Sequence, residues 1–151
     1  MQKEVASEKE LRLFGEQLGA LLCGGESLEL IGDVGAGKTT LTKAIASGMG
    51  ITETVSSPSY TLSQVYEGHN NMKLVHYDFY RLNDPGILAH ELEEVLADAR
   101  SVVVVEWAGI VADVLPVDHI SITIVPLSDV ARRLEVRAGG EKSHRLLEQL
   151  T

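Results

Sequence analysis

Leu11, Phe14, Leu18, Leu21 and Leu22 recur at helical spacing along "SEKELRLFGEQLGALLCGG", the stripe by which a helix buries one side. Ser7 and Glu10 stand three apart at its start, the spacing of a capping box. Gly24 and Gly25 are expected to end it. The pattern then shifts to short runs: "SLELI" predicts a strand, and "GKTTLTKAIASGMG" a helix stopped by glycines. "ITETVSSPSY" is polar, contains Pro58 and predicts an exposed loop. "TLSQVY" and "MKLVHYD" predict two strands joined by the turn "EGHNN". In "NDPGILAHELEEVLADA", Asp84 is placed to cap a helix with Pro85 at its first position. The valine run of "SVVVVEW" marks a strand covered on both faces. "HISITIV" and "RRLEVRA" predict a hairpin across "PLSD", and "EKSHRLLEQL" a last helix. Strands alternate with helices early and pair locally later. This predicts an α/β fold: a mixed, mainly parallel sheet flanked by helices, with antiparallel hairpin additions. No repeat, low-complexity tract or linker interrupts the chain, so residues 1–151 are expected to form a single domain.

Charge narrows the range of functions. Thirteen basic against 22 acidic residues leave a net charge of −9, whereas a protein that grips nucleic acid unaided needs a basic footprint. Direct RNA or DNA binding is disfavoured, although Arg132, Arg133 and Arg137 form a local basic cluster. The longest apolar run, "SVVVVEWAGIVADVL", is broken by Glu106 and Asp113 and falls short of the ~20 residues that span a bilayer. The start lacks the apolar core of a secretion signal. The lone Cys23 forms no intramolecular disulfide and is expected to fill core beside the first helix. A reducing cytoplasm fits that composition.

The glycines of "LELIGDVGAGKTTLTKAIASGMG" carry the chemistry. Gly32, Gly37, Lys38 and Thr39 fit G-x-x-x-x-G-K-[ST] between a predicted strand and a predicted helix. Such a turn aims successive N–H groups at phosphate oxygens, and the helix that follows adds its positive end. Lys38 is placed to reach the outer phosphates and the Thr39 hydroxyl to ligate Mg²⁺. Gly35, Ala36, Gly37, Lys38, Thr39 and Thr40 are the expected phosphate-binding residues.

Hydrolysis also requires a carboxylate at a neighbouring strand end, for Mg²⁺ or its waters, and a group that positions water. Asp78 in "LVHYD" and Glu106 in "VVVVE" both end predicted strands, where ligands bind in open α/β sheets. Ser56, Ser57, Ser59 and Thr61 are hydroxyl candidates in the loop between them and the phosphate turn. The alternative for each is an ordinary solvated loop or a helix cap. Trp107, beside Glu106, is expected to pack near the nucleotide or to fill core. His76 lies two residues before Asp78 and on the same side of its strand; no histidine has zinc-ligand spacing. The Asn-Lys-x-Asp segment of guanine-selective GTPases is absent, which tilts the base towards adenine.

The order and spacing of "GDVGAGKTT", "SPSYTL", "HYDFYRL" and "VVVVEW", the last followed by "VLP", resemble the bacterial tRNA threonylcarbamoyladenosine biosynthesis ATPase family, TsaE, over nearly the whole chain. The resemblance implies a compact P-loop fold that binds ATP or ADP with Mg²⁺ and hydrolyses ATP slowly alone. It implies work with two partner proteins, TsaB and TsaD, of which TsaD transfers the threonylcarbamoyl group to adenosine of tRNA reading A-starting codons. tRNA would then be met only through the complex. On matching positions Lys38 and Thr39 would bind phosphates and Mg²⁺, Glu106 would ligate Mg²⁺, and Asp78 would serve hydrolysis. Ser59 stands where the family often has Thr, and "EWAGIVADVLP" where it commonly has "EWP". The rival activities are a small-molecule or nucleoside kinase on the same loop, and a nucleotide-dependent docking module. Arg81 and Arg100 are available to a kinase, but 151 residues leave little room for its lid.

Overall fold

The computed structural model describes residues 1–56 and 63–150. Along the chain run β1 (Gln2–Val5), α1 (Glu8–Leu21), β2 (Ser27–Ile31), α2 (Lys38–Gly48), β3 (Ser63–Glu67), β4 (Lys73–Asp78), α3 (Ile87–Leu96), β5 (Ser101–Glu106), β6 (Ile120–Pro126), β7 (Arg132–Ala138) and α4 (Glu141–Leu150). The strands form one sheet in the order β1-β7-β6-β2-β5-β4-β3. Its inner strands β6, β2, β5 and β4 are parallel. β3, β7 and β1 join antiparallel at the two edges. The α/β reading of the sequence therefore holds.

The valine run lies where its composition predicts: every residue of β5 is buried, between β2 and β4. Side chains alternate across a strand, so β5 feeds two cores. Val102 and Val104 join Leu28, Leu30 and Leu74 under α1 and α2. Val103 and Val105 join Val75, Tyr77 and Leu92 on the α3 side. Register carries this parity to the strand ends. Leu30 pairs with Glu106, and Glu106 with Asp78, while Val104 pairs with His76. His76, Asp78 and Glu106 accordingly share the face covered by α1 and α2.

The apolar stripe of α1 is buried through Leu11, Phe14, Leu18 and Leu22. Its Ser7 cap accepts the Glu10 N–H, whereas the Glu10 carboxylate accepts from Ala6 rather than from Ser7.

Several expectations are corrected. The helix ends at Leu21, before Gly24, so Cys23 lies outside the stripe and is exposed instead of filling core. Asp84 does not cap α3. It accepts the Gly86 N–H in a turn one step earlier, and Gly86 takes the cap position without a side-chain bond. Ile51 and Val55 of the expected exposed loop are buried. β1 has no counterpart in the sequence reading: it buries only Val5, so its four residues carry no period to detect.

Candidate functional site

β2 delivers the chain to Gly32 at the carboxyl end of the parallel strands, and α2 leaves at Lys38. Between them Gly35 (φ 83°) and Gly37 (φ 119°) occupy left-handed backbone, open to glycine at little steric cost. A Cβ built on Gly35 meets nothing within 4 Å. Conformation, and not crowding by the protein, demands glycine there. The Ala36 N–H closes a turn on Asp33 O (3.0 Å), so that amide is already used. The amides of Gly35, Gly37, Lys38, Thr39 and Thr40 donate to no acceptor among the described residues. α2 has neither a side-chain cap nor an acidic residue in its first turn. The result is a concave row of donors at the positive end of a helix, suited to an anion.

Lys38 is buried, with Nζ bonded to Gly32 O and 4.5 Å from the centroid of the Trp107 ring. No carboxylate of the described residues lies within ion-pairing reach of it. Thr39 is exposed at the helix start. Trp107 follows Glu106 in the left-handed region (φ 57°), which costs a bulky residue roughly 1–2 kcal/mol. That turn sets its half-exposed ring against Tyr80, centroids 4.8 Å apart, and under Lys38. Strain of this kind gathers at functional sites. Of the two readings left open for Trp107, the structure gives the one beside the loop.

Arg132 was legible only as part of a basic cluster. Its Nε donates to Ala36 O at 2.8 Å, and its Nη1 to Ser128 O and Ala131 O. One guanidinium thus ties the β6–β7 turn to the glycine loop, and no spacing in the sequence signals it. A cleft of about 220 Å³ opens beside the loop, walled by Ser7, Leu11, Gly35, Thr40, Val130 and Arg132 among others.

At the neighbouring strand ends, Glu106 is 3% exposed and accepts from His76 Nε2 (3.0 Å). Asp78 Oδ1 accepts the Tyr80 N–H (3.0 Å), and the Phe79 N–H reaches Glu106 O (3.1 Å). Lys38, Glu106 and Asp78 are therefore gathered at one end of the sheet, on its α2 side. Among the described residues no group of three or more His, Cys, Asp or Glu forms a metal cage. Mg²⁺ needs none, since it is usually held by one or two carboxylates together with phosphate and water. Of the hydroxyl loop, Ser56 is tied to Tyr66, its N–H reaching the phenol oxygen at 3.3 Å. Ser57, Ser59 and Thr61 lie outside the described residues. On the other face of the sheet, burial first, and then Glu91, raise the Tyr77 hydroxyl. No helix among the described residues is long and apolar enough to cross a membrane.

The class is a mixed α/β protein with a seven-stranded, mostly parallel sheet flanked by helices, its glycine turn running from an inner strand into a helix and acids on the adjoining strand ends. A family model described as "Threonylcarbamoyl adenosine biosynthesis protein TsaE" matches residues 5–134. The tRNA threonylcarbamoyladenosine biosynthesis protein TsaE of Bacillus subtilis (strain 168) is 34% identical over 147 residues, 95% of this chain and 89% of that one. The protein of that name from Mycobacterium leprae (strain TN) is 38% identical over 126 residues, 78% of each chain. The crystal structure of Bacillus subtilis YdiB matches with a TM-score of 0.82 and 31% identity, over 99% of this chain and 93% of that one. The chain belongs to the TsaE family.

Proposed function

We propose that this protein binds ATP with Mg²⁺ at the glycine loop and acts as the ATP-hydrolysing component in threonylcarbamoyladenosine formation on tRNA. One observation carries the reading: the amides of Gly35, Gly37, Lys38, Thr39 and Thr40 lie beside a buried lysine, and among the described residues neither they nor the lysine has an acidic partner. Donors so placed fit the outer phosphates of a nucleotide, with Lys38 exchanging Gly32 O for a phosphate oxygen. Thr39 and Glu106 are the groups that would hold Mg²⁺, which supplies charge neutralisation to the phosphates when bound. Asp78, fixed by the Tyr80 amide, is the acid proposed to serve hydrolysis. The nucleoside would lie in the cleft between α1 and the β6–β7 turn.

Family membership and charge support the partner reading. A chain of net charge −9 is a poor ligand for tRNA, so we place tRNA on the TsaB–TsaD pair and this protein on that pair, in the cytoplasm. Slow turnover alone is expected when a partner completes the water-positioning groups, each missing tenfold in rate being about 1.4 kcal/mol of transition-state stabilisation. The test is ATPase activity with and without the TsaB–TsaD pair. Stimulation is expected, and indifference with all three proteins folded contradicts the proposal. Phosphoryl transfer to an acceptor other than water would favour a kinase instead. For the loop itself, Lys38→Ala is expected to weaken ATP binding roughly hundredfold, about 2.7 kcal/mol, and undiminished affinity by calorimetry refutes the placement.

A further inference from the structure

Glu106 is a buried carboxylate, and its hydrogen-bond partner among the described residues is His76, itself 1% exposed. Burying a carboxylate is costly unless donors or a cation compensate, so the geometry of this pair needs explaining. Strand register creates it. Asp78 lies opposite Glu106 and His76 opposite Val104, which places the imidazole diagonally behind the carboxylate on the same face. A diagonal of this kind is within reach of a long side chain. With an ionised Glu106 Oε2 as the acceptor, Nε2 is the donor, and in the neutral ring Nδ1 is then an acceptor. His76 Nδ1 is buried and has no hydrogen-bond partner among the described residues. Among the described residues the ring is thus aimed by one hydrogen bond, and that bond goes to Glu106. Among the described residues, the buried side-chain atoms without a hydrogen bond are Ser27 Oγ, His76 Nδ1 and Arg133 Nε, the last ion-paired to Glu135. Glu106 Oε1 makes no hydrogen bond among the described residues, which leaves that oxygen to a ligand.

We propose that His76 is a positioning residue: by donating Nε2–H to Oε2 it holds Glu106 in the rotamer that offers Oε1 to the divalent cation. The proposal rests on the reading of Glu106 as the cation-holding acid. Groups hydrogen-bonded behind a metal ligand typically change metal affinity by ~10–100-fold when removed. A histidine that merely fills core would change stability and leave the cation dependence alone.

The experiment measures ADP affinity by calorimetry in EDTA and across a Mg²⁺ series for the full chain. His76→Leu is expected to bind ADP in EDTA as the unmodified protein does, but to need roughly tenfold more Mg²⁺ for the same tightening. His76→Gln, whose amide reaches the Nε2 position, restores most of the effect, whereas His76→Asn does not. Adding His76→Leu to Glu106→Gln should cause no further shift. If Glu106→Gln moves the Mg²⁺ requirement and His76→Leu does not, the positioning role is overturned and the reading of Glu106 stands. If neither moves it, Glu106 is not the cation-holding acid and both fall. Should His76→Leu fail to fold, the Gln and Asn variants decide: equal Mg²⁺ dependence overturns the role.

Discussion

The first turns of α2 and α4 pose the same problem, donor amides that no carbonyl of their own helix can accept, and they solve it differently. At α4 the protein supplies the acceptor. Asp118 Oδ1 takes the Ser143 N–H and hydroxyl, and Oδ2 takes the Lys142 N–H at 3.0 Å. At α2 Gly37 occupies the cap position with no side chain to project, and no side chain of the described residues reaches the amides. A helix end completed from within is structural. One left open among the described residues beside a buried lysine offers its positive end to an anion, as the proposed function requires.

The sharpest way to break this contrast is to give α2 an internal anion. Gly35→Asp places a carboxylate on the loop, in left-handed backbone that strains it by about 1–2 kcal/mol. Loss of ATP affinity by about a thousandfold is expected, near 4 kcal/mol, without loss of fold. Calorimetry showing native affinity in a folded variant would sink the assignment of the loop. Next in size, Arg132→Ala removes the tie between the β6–β7 turn and Ala36 O. A loosened cradle is expected to bind ATP roughly tenfold more weakly, about 1.4 kcal/mol, with the Mg²⁺ requirement unchanged. An unchanged dissociation constant would show that the loop holds its shape alone.

The smallest effect belongs to α4. Asp118→Ala should cost about 1 kcal/mol of stability at neutral pH and leave nucleotide affinity untouched, read by thermal melting and calorimetry. Its pH dependence has a definite sign. The Ser143 hydroxyl first, and then the Ser143 and Lys142 amides, hold the Asp118 carboxyl below the usual range against the opposing effect of burial. The cap therefore contributes fully above the unfolded carboxylate range and fades as pH falls through its lowered folded value. The gap between the parent protein and Asp118→Ala should close in acid. A gap that persists there would assign the cap's contribution to packing.

The sequence by itself determined what local pattern can encode. The glycine loop, the buried valine strand, the α1 stripe and the two acids at strand ends follow from spacing and residue type, because period and turn chemistry act over a few neighbours. Family membership was legible in the same blocks. Pairings across long stretches of chain were not. Arg132 on Ala36, His76 on Glu106 and Trp107 under Lys38 arise only when sheet order sets distant strands side by side. β1 escaped notice because an edge strand with one buried residue leaves no period to read. Cys23 faced outward because α1 ended two residues before it. Local chemistry thus named the parts of the site, and register, which is decided by the whole sheet at once, chose which of them touch.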